Sequence, residues 1–466
     1  MALSRKEKKY VRENFNGVLH TTLNPEGPGV VRIHLIPPKT ENSEIYESVA
    51  ILNGQDIIPV SSSWSILLAE FIKQVNVYSG KEINTEEAGD IVKKTCKAVR
   101  RIYPFVSRKR ISADIYTIMD TFKKIAYNQP TDTEIGYLSL GEYAENMRAP
   151  HRMDLCVSAM TKDGKWHCNQ KCVHCYAAGQ IRSEEFELST EQWKEILDKC
   201  REAGIPQVTF TGGEPTMRED LVELIDHAKW FVTRLNTNGI RLTKELCEKL
   251  KKASLDSMQI TFYSANPFIH NKLVGGACYE QTLSGIDNAI AAGISVSINT
   301  PLCTENCDYV DTLRFLRERG VRYVTCSGLI TTGNGATTDS AKLQLSTEKI
   351  KEILKNAVEY CYANGMEISF TSPGWVEDSF CEELGIKTPS CGACLSNMAV
   401  TPGGNVVPCQ SWLSGLTLGN MLKDDWDSIW NNDECKRRRD FSAAMTGKCP
   451  LRIIPDKNDG QSEVKA

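Results

Sequence analysis

Apolar and polar residues follow three different patterns along the chain. Between residues 151 and 345, short apolar runs alternate with longer stretches of helical periodicity. The apolar runs predict strands at residues 153–157, 207–211, 231–236, 258–263, 295–300 and 323–326. The stretches between them predict helices at residues 190–203, 221–228, 244–253, 282–292 and 310–319. This alternation indicates an α/β fold with a parallel sheet, either open or closed into a barrel, whose chemistry lies at the carboxyl ends of the strands.

Residues 1–150 have a pattern of their own. Strands are predicted at residues 29–36, 48–52 and 57–60, and Asn53-Gly54 predicts a tight turn between the last two. Helices are predicted at residues 64–75, 85–103 and 111–127. A hairpin followed by three helices indicates a small α+β, winged-helix-like N-terminal domain.

The third pattern begins after a helix predicted at residues 347–363, which carries the chain out of the alternating region. From about residue 370, Pro and Gly separate short segments, among which six cysteines crowd together: Cys381, Cys391, Cys394, Cys409, Cys435 and Cys449. A core this small needs metal or crosslinks for stability. We therefore predict domains at residues 1–150 and 151–345, and a small cysteine-rich C-terminal extension within residues 346–466.

Composition narrows the class of protein. A formal charge of −4 gives no electrostatic case for nucleic-acid binding. There is no run of 18 apolar residues and no signal peptide, so we expect a cytoplasmic protein that does not enter a membrane. Eighteen cysteines in such a protein indicate metal or redox chemistry, and not a disulfide framework.

The most informative stretch is the loop after the first strand of the α/β region, which carries Cys168, Cys172 and Cys175. Three thiolates can ligate three irons of a [4Fe–4S] cluster and leave the fourth iron open to a ligand that is not protein. The alternative is a zinc site with four N or S ligands, in which His167 or His174 completes the set.

The second strand of this region ends in Thr211-Gly212-Gly213-Glu214-Pro215. Paired glycines let the backbone come close to a ligand. A C-x3-C-x2-C loop followed by a GGEP-type turn resembles the radical SAM superfamily, although His174 stands where the family usually has an aromatic residue. The resemblance implies a partial (β/α)6, TIM-like barrel.

The resemblance also implies the cofactor chemistry. The open iron would bind the amino and carboxylate groups of S-adenosylmethionine (SAM), and one electron would release a 5′-deoxyadenosyl radical that abstracts a substrate hydrogen. The turn of Gly212, Gly213, Glu214 and Pro215 would receive the methionine amino group. Asn236, Asn238 and Ser264 would face the ribose, although the ordinary roles of these residues are turns and loop caps.

The spacing of the C-terminal cysteines also resembles a known pattern. Cys391-x2-Cys394 is followed by nine residues, Gly404, four residues and Cys409. This spacing resembles the SPASM/twitch extension of radical SAM enzymes and implies one auxiliary [4Fe–4S] cluster, with Cys391, Cys394, Cys409 and Cys449 as ligands. Zinc bound by four thiolates is the alternative.

Three further cysteines follow strands of the α/β region. Cys303 and Cys307 come after the fifth strand, and Cys326 ends the sixth. Cys303 and Cys326 are candidate catalytic thiols for hydrogen-atom donation or substrate linkage. The alternative is that these cysteines are small buried apolar residues.

These features lead to a hypothesis about function. A radical SAM enzyme with this extension most plainly modifies a ribosomally made peptide or a protein, by crosslinking or oxidation, and takes electrons from a ferredoxin or flavodoxin. The N-terminal domain resembles the recognition elements that bind a leader peptide as an added strand. The alternatives are radical oxidation of a small metabolite in cofactor or antibiotic synthesis, and an iron–sulfur electron carrier or regulator without turnover.

Overall fold

Two large hydrophobic cores organise the chain in the computed structural model. The structure describes residues 3–23, 30–38, 40–41, 44–45, 48–78, 83–127, 129–132, 134–444 and 447–452. One core lies within the N-terminal domain. The other lies between a parallel sheet and its helices and extends into the cysteine-rich C-terminal segment.

The N-terminal domain is a four-stranded antiparallel sheet covered by helices. Its elements are α1 (Arg5–Asn14), β1 (Leu19–Leu23), β2 (Val31–Ile36), β3 (Thr40–Glu41), β4 (Glu44–Ile45), β5 (Ser48–Leu52), β6 (Asp56–Val60), α2 (Ser62–Asn76), α3 (Thr85–Ile102), α4 (Arg108–Ala126) and the short α5 (Leu140–Tyr143). The sheet order is β1-β2-β5-β6, and the predicted hairpin is β5–β6, where Leu52 pairs with Asp56. The pattern did not predict α1, β1, α5 or the β3–β4 ribbon, and Gly29, at the start of the predicted 29–36 strand, lies outside the described residues.

The central domain has the predicted alternation of strands and helices. Its elements are β7 (Arg152–Ser158), β8 (Thr161–Lys162), β9 (Lys165–Trp166), α6 (Thr190–Ala203), β10 (Gln207–Gly212), α7 (Leu221–His227), β11 (Val232–Thr237), α8 (Lys244–Lys252), β12 (Ser257–Thr261), α9 (Pro267–Val274), α10 (Tyr279–Ala291), β13 (Ser295–Pro301), α11 (Tyr309–Glu318), β14 (Tyr323–Ser327), α12 (Thr338–Ala341), α13 (Thr347–Ala363) and β15 (Glu367–Phe370). The helix α13 does not carry the chain away, since it leads into β15, which pairs in parallel with β14.

The cysteine-rich segment joins the same sheet. Its elements are α14 (Asp378–Glu383), β16 (Asn397–Val400), β17 (Asn405–Val407), β18 (Gly419–Asn420), α15 (Trp426–Trp430) and α16 (Asp433–Ala443). The sheet order is β15-β14-β13-β12-β11-β10-β7-β16-β17-β18, and β16 runs parallel to β7. Within the described residues the sheet has two free ends, β15 and β18. The α/β fold class with a partial barrel is therefore confirmed.

Side chains of the barrel strands alternate between two environments. Val208, Phe210, Leu235 and Ile260 are fully buried against the helices. The intervening positions on the other, concave face are mostly polar and include Asp154, as period-two alternation requires. A parallel sheet with helices on one side only leaves this concave face to line a cleft.

The N-terminal domain packs at the amino ends of the barrel strands. The buried guanidinium of Arg32, on β2, contacts Asp256 at 3.0 Å, Ser254 Oγ at 2.7 Å and the Lys229 carbonyl at 2.7 Å. These three residues immediately precede β11 or β12. Among the described residues, these contacts lie at the opposite end of the sheet from the carboxyl ends, where α/β proteins carry their chemistry.

No helix in the described part of the chain is long and apolar enough to cross a membrane.

Candidate active site

The three-cysteine loop lies at the carboxyl end of β7, after the β8–β9 ribbon. Backbone hydrogen bonds fix it to two neighbouring segments. Lys171 N donates to the Val274 carbonyl at 3.1 Å, and Val173 N donates to the Leu273 carbonyl at 3.0 Å, at the end of α9. Asn334 bonds the carbonyls of Cys172 and Cys175 from the other side. The loop is thus held through its backbone groups, and of its thiols Cys172 Sγ also donates to Gln170 Oε1 at 3.5 Å.

Cys168, Cys172 and Cys175 are partly buried free thiols that lie near one another. Burial raises the pKa of Cys168 to about 12, with a further contribution from Glu214 and Cys175. Burial also raises the pKa of Cys172 and of Cys175, and the two neighbouring thiols raise that of Cys172 further. Three adjacent thiols that do not ionise alone become thiolates when a cationic metal binds, so this site fits an iron cluster.

Among the residues that the structure describes, no three Cys, His, Asp or Glu side chains converge closely enough to ligate one shared metal ion. Cysteine ligands of a [4Fe–4S] cluster bind separate irons, so they need not converge in that way.

The glycine turn at the end of β10 packs directly on the end of β7. Gly212 has φ +132°, and a Cβ there would lie 2.2 Å from the Ser158 carbonyl oxygen. A Cβ on Gly213 would lie 2.8 Å from the Ala159 carbonyl oxygen. Gly213 N donates to the Ser158 carbonyl at 2.8 Å. Only glycine allows this contact between the turn and the strand that leads to the cysteine loop.

Glu214 is almost completely buried and links this turn to the end of β11. Its Oε1 accepts from Thr216 N at 3.1 Å, Thr216 Oγ1 at 2.6 Å and Thr237 Oγ1 at 2.7 Å. Its Oε2 accepts from Asn238 N at 2.8 Å and has capacity for another donor. Pro215 begins a short 3₁₀ helix and is also buried. The carboxylate therefore holds the two turns together, and its contact with the methionine amino group stays a prediction.

The other predicted SAM-binding residues have different surroundings. Asn238 Nδ2 donates to Asn169 Oδ1 at 2.6 Å, which ties the β11 turn to the cysteine loop. Ser264 Oγ accepts from Asn266 N at 3.0 Å, the loop-capping role considered as its alternative. Asn236 lies on the concave face of β11, opposite Gln259 in the register with β12. The ribose contacts of all three stay a prediction.

His174 occupies the position where the superfamily usually has an aromatic residue. Its Nε2 lies 3.0 Å from Tyr263 Oη, and the two rings meet edge to face at 5.2 Å. Burial lowers the pKa of His174 to about 4, so the ring is neutral at pH 7. His167 instead lies 3.7 Å from Glu187. His174 therefore packs as an aromatic ring would, with Tyr263 as a partner that the sequence pattern did not reveal.

The two candidate catalytic thiols are both buried. Cys326 points to the helix side of β14, next to Cys361, and burial raises its pKa. Cys303 is fully buried with Tyr263, Leu273 and Leu329, and burial raises its pKa to about 11. Cys326 faces away from the concave face, whereas Cys303 lies in a cluster against which Cys172 of the cysteine loop packs. A catalytic role for either thiol stays a prediction. Cys307 is partly exposed beside α11.

The predicted auxiliary ligands come together in the C-terminal segment. Burial raises the pKa of Cys409 to about 12, and Cys391 and Cys449 are close enough to raise it further. The Cys394 backbone has φ +58°, and its N–H donates to the carbonyls of Asn397 and Pro408. These four thiols form one group beside β16 and β17.

A fifth thiol, Cys435 of α16, belongs to the same group. The Cys394 thiol hydrogen-bonds Cys435, which raises the pKa of Cys394. Arg439 Nη1 donates to Cys435 Sγ at 3.6 Å. Cys435 lies 26 residues after Cys409 in the sequence, and this distance gave no signal that the two cysteines belong to one group. The contact exists because α16 packs back against the segment that carries Cys394.

Arg452 supplies an observation that fits an anionic cluster at these cysteines. Its guanidinium lies 3.8 Å from the ring centre of Trp375. Its Nη1 is buried and has no hydrogen-bond partner in the described part of the chain. Cys449 is close enough to raise the pKa of Arg452, which burial lowers. A buried N–H donor beside a cysteine ligand suits a thiolate-bound cluster.

Comparisons with known proteins match both cysteine regions. The model of the radical SAM superfamily matches residues 167–316, and that of the SPASM iron–sulfur cluster-binding domain matches residues 391–450. The Fe-coproporphyrin III synthase of Methanosarcina barkeri is 31% identical over 330 residues, which cover 64% of this chain and 81% of that protein. The PqqA peptide cyclase of Streptomyces rochei is 26% identical over 303 residues, which cover 62% of this chain and 79% of the cyclase.

A solved structure shows the same fold. SuiB of Streptococcus suis bound to S-adenosylmethionine has a TM-score of 0.57 and 14% identity, over 85% of this chain and 87% of SuiB. SuiB bound to its precursor peptide SuiA has a TM-score of 0.56 and 13% identity, over 84% and 87% of the two chains.

These matches confirm the family resemblance and the cofactors expected from it, which are [4Fe–4S] clusters and S-adenosylmethionine. The chain belongs to the radical SAM superfamily, as an enzyme with a C-terminal SPASM domain.

Proposed function

We propose that the substrate of this radical SAM enzyme is a ribosomally made peptide or a protein, which the enzyme crosslinks or oxidises. The observation that carries the proposal is the three-thiol loop at the carboxyl ends of the strands, whose Asn169 bonds Asn238 of the β11 turn, the residue that also bonds Glu214 of the glycine turn. PqqA peptide cyclase and SuiB with its precursor peptide support the peptide substrate.

The residues of the site would divide the work between binding and positioning. Cys168, Cys172 and Cys175 would ligate the cluster, and Glu214 Oε2 would accept from the methionine ammonium group. When bound, the cluster and SAM supply the radical that removes a substrate hydrogen. Asn238 and Asn169 would hold the cysteine loop and the β11 turn at a fixed separation, which a positioned cofactor requires.

The partners and location follow from the same proposal. The N-terminal sheet would bind a leader segment as an added strand, and a ferredoxin or flavodoxin would supply electrons in the cytoplasm. A second candidate is oxidation of a small metabolite, because the relative with 31% identity is a Fe-coproporphyrin III synthase.

The reaction is tested with anaerobically reconstituted wild-type protein, SAM and dithionite. We expect 5′-deoxyadenosine by liquid chromatography and mass spectrometry, and more of it when the correct substrate is present. Peptides encoded beside the gene are the first substrates to test, and the loss of two hydrogen atoms from a peptide would mark a crosslink. A complete lack of 5′-deoxyadenosine would contradict SAM cleavage. Turnover of metabolites alone would favour the second candidate.

The number of clusters is a separate prediction. With one auxiliary cluster ligated by Cys391, Cys394, Cys409 and Cys449, the reconstituted protein should hold about eight irons per chain. Changing Cys409 to Ala should reduce this to about four, because a cubane that loses a thiolate ligand is less stable.

Cys381→Ala is the matched control for that measurement. Cys381 is a fully buried cysteine of α14 outside the group, so this variant should keep about eight irons. Zinc in place of iron, or about four or twelve irons in the wild-type protein, would overturn the prediction of one auxiliary cluster.

A further inference from the structure

The concave face of the sheet lies between the two cysteine groups. Near the carboxyl ends of the strands, Tyr176 follows the proposed ligand Cys175 in the sequence, and the Tyr176 hydroxyl contacts Thr211. Nearer the amino ends of the strands, Cys409 lies close enough to raise the pKa of Arg152, and Asp154 lies close enough to raise that of Cys409. A substrate that lies in this cleft would therefore pass between both sites.

The strand register places two charged residues, Asp154 and Arg234, at one level of this face, with Arg152 two residues away. Thr209 of β10 pairs with Asp154 on one side and with Arg234 on the other. Residues paired across parallel strands point to the same face of a sheet. Arg152 lies two residues before Asp154 on the same face of β7. Arg234 is thus two strands away from the Arg152–Asp154 pair and points into the same cleft.

Of the two arginines, Arg152 has a hydrogen-bonded carboxylate partner and Arg234 does not. Arg152 binds Asp154 through both carboxylate oxygens, at 2.7 and 3.1 Å, and Asp154 is completely buried. Arg234 is partly buried, and within the described residues its guanidinium makes no hydrogen bond or ion pair. Burial lowers the pKa of Arg234 and the neighbouring Arg152 lowers it further, while the carboxylate of Asp154, which Arg152 already binds, raises it. Two guanidinium groups and one carboxylate leave a net charge of +1.

A partly buried guanidinium without a hydrogen-bonded partner is costly, because it has lost water and gained no direct contact with an anion. Such a group is retained where a ligand completes it, and the planar guanidinium suits a carboxylate in a bidentate arrangement. We propose that Arg234 binds a carboxylate of the substrate. This inference rests on the proposed function and specifies its substrate class: a molecule with an acidic group.

The register also places that carboxylate relative to the cofactor site. Arg234 lies four residues before Asn238, whose backbone N–H bonds Glu214 at the carboxyl end of the sheet. At 3.3 Å per residue in a parallel strand, the separation is about 13 Å. The substrate would therefore carry its acidic group well away from the carbon that loses hydrogen, as a peptide with a Glu or Asp side chain or a macrocycle with several propionates does.

The experiment measures binding to the reconstituted enzyme with SAM, by equilibrium dialysis, in two arms. One arm compares coproporphyrin III with its tetramethyl ester. The other compares the peptide acetyl-Glu-Ala-Ala-Tyr-amide with its Gln analogue. We expect the wild-type protein to prefer the acid in one arm, and Arg234→Gln to weaken binding of that acid about tenfold to a hundredfold. Arg234→Lys keeps the charge without the planar fork, so its affinity should be intermediate.

Arg241→Gln is the matched control, since Arg241 is an exposed arginine of the loop after β11, and its binding should not change. Equal binding of acid and neutral analogue in both arms, or wild-type affinity in Arg234→Gln, would overturn the inference. The arm that shows the preference identifies the source of the carboxylate.

5′-Deoxyadenosine formation without substrate is measured on the same samples. If the wild-type protein forms none, the proposed function fails; if it forms some but binding ignores Arg234, only this inference fails.

Discussion

Replacing Cys168, Cys172 and Cys175 together by alanine should reduce 5′-deoxyadenosine formation to the background rate. The three thiols are the proposed ligands of the cluster that delivers the electron to SAM. Within the described residues, this loop carries no further cysteine that could replace them as a ligand. Iron content should fall from about eight to about four per chain, because the auxiliary cysteines are untouched. The measurements are iron analysis, electron paramagnetic resonance of the reduced protein and product quantitation.

The control is Cys200→Ala, a fully buried cysteine of α6 that is remote from both groups. Loss of its thiol leaves a small cavity and should lower stability without a change in iron content. If the triple variant keeps both its iron and its SAM cleavage, the site has been assigned to the wrong cysteines.

Changing Gly212 to Ala should destabilise the barrel and weaken SAM binding by at least about tenfold. At φ +132° an L-residue is strained by about 1–3 kcal/mol. The new Cβ would also lie 2.2 Å from the backbone oxygen of Ser158, and relieving such an overlap in a packed site costs about 1–3 kcal/mol more. Because the turn cannot move without pulling Glu214 from its four donors, the effect should reach the cofactor site. Anaerobic thermal unfolding and SAM equilibrium dialysis measure the two consequences.

Gly293→Ala separates strain from overlap. Gly293 also has a positive φ, +71°, but a Cβ there would meet nothing within 4 Å. This variant should lose only about 1–2 kcal/mol through its left-handed backbone, and its SAM affinity should not change. An equal loss of stability in the two variants would mean that the contact between Gly212 and Ser158 is not important.

Several features of the site could be predicted because they depend on short stretches of sequence. The cysteine spacing, the Gly-Gly-Glu-Pro turn and the strands that precede them are local. The structure places Cys168 of the loop close to Glu214 of the turn, as the order of strands indicates. Cys326 could also have been placed from the sequence alone. Tyr323 and Thr325 alternate with Val324 and Cys326, so strand periodicity puts Cys326 with the apolar, helix-facing residues.

Other features could not be predicted because they depend on contacts between distant segments. The strand β15 is only four residues long, and its identity as a strand comes from pairing with β14 across the helix α13. Likewise, β16 lies in a segment rich in Gly and Pro and becomes part of the sheet through its pairing with β7. Short strands have little preference of their own, and hydrogen bonds to a partner strand decide them.

By itself, the sequence determined the alternation of strands and helices in the central domain and the cofactor chemistry of this protein, because periodicity and ligand spacing are properties of neighbouring residues. Only the tertiary structure decided which of these residues meet. It joined the C-terminal cysteines to the sheet, buried Cys303, engaged the carboxylate of Glu214 and left Arg234 without a partner on the concave face. The reason is that burial and charge pairing are set by segments that lie far apart along the chain, whose approach is decided by the packing of the whole core.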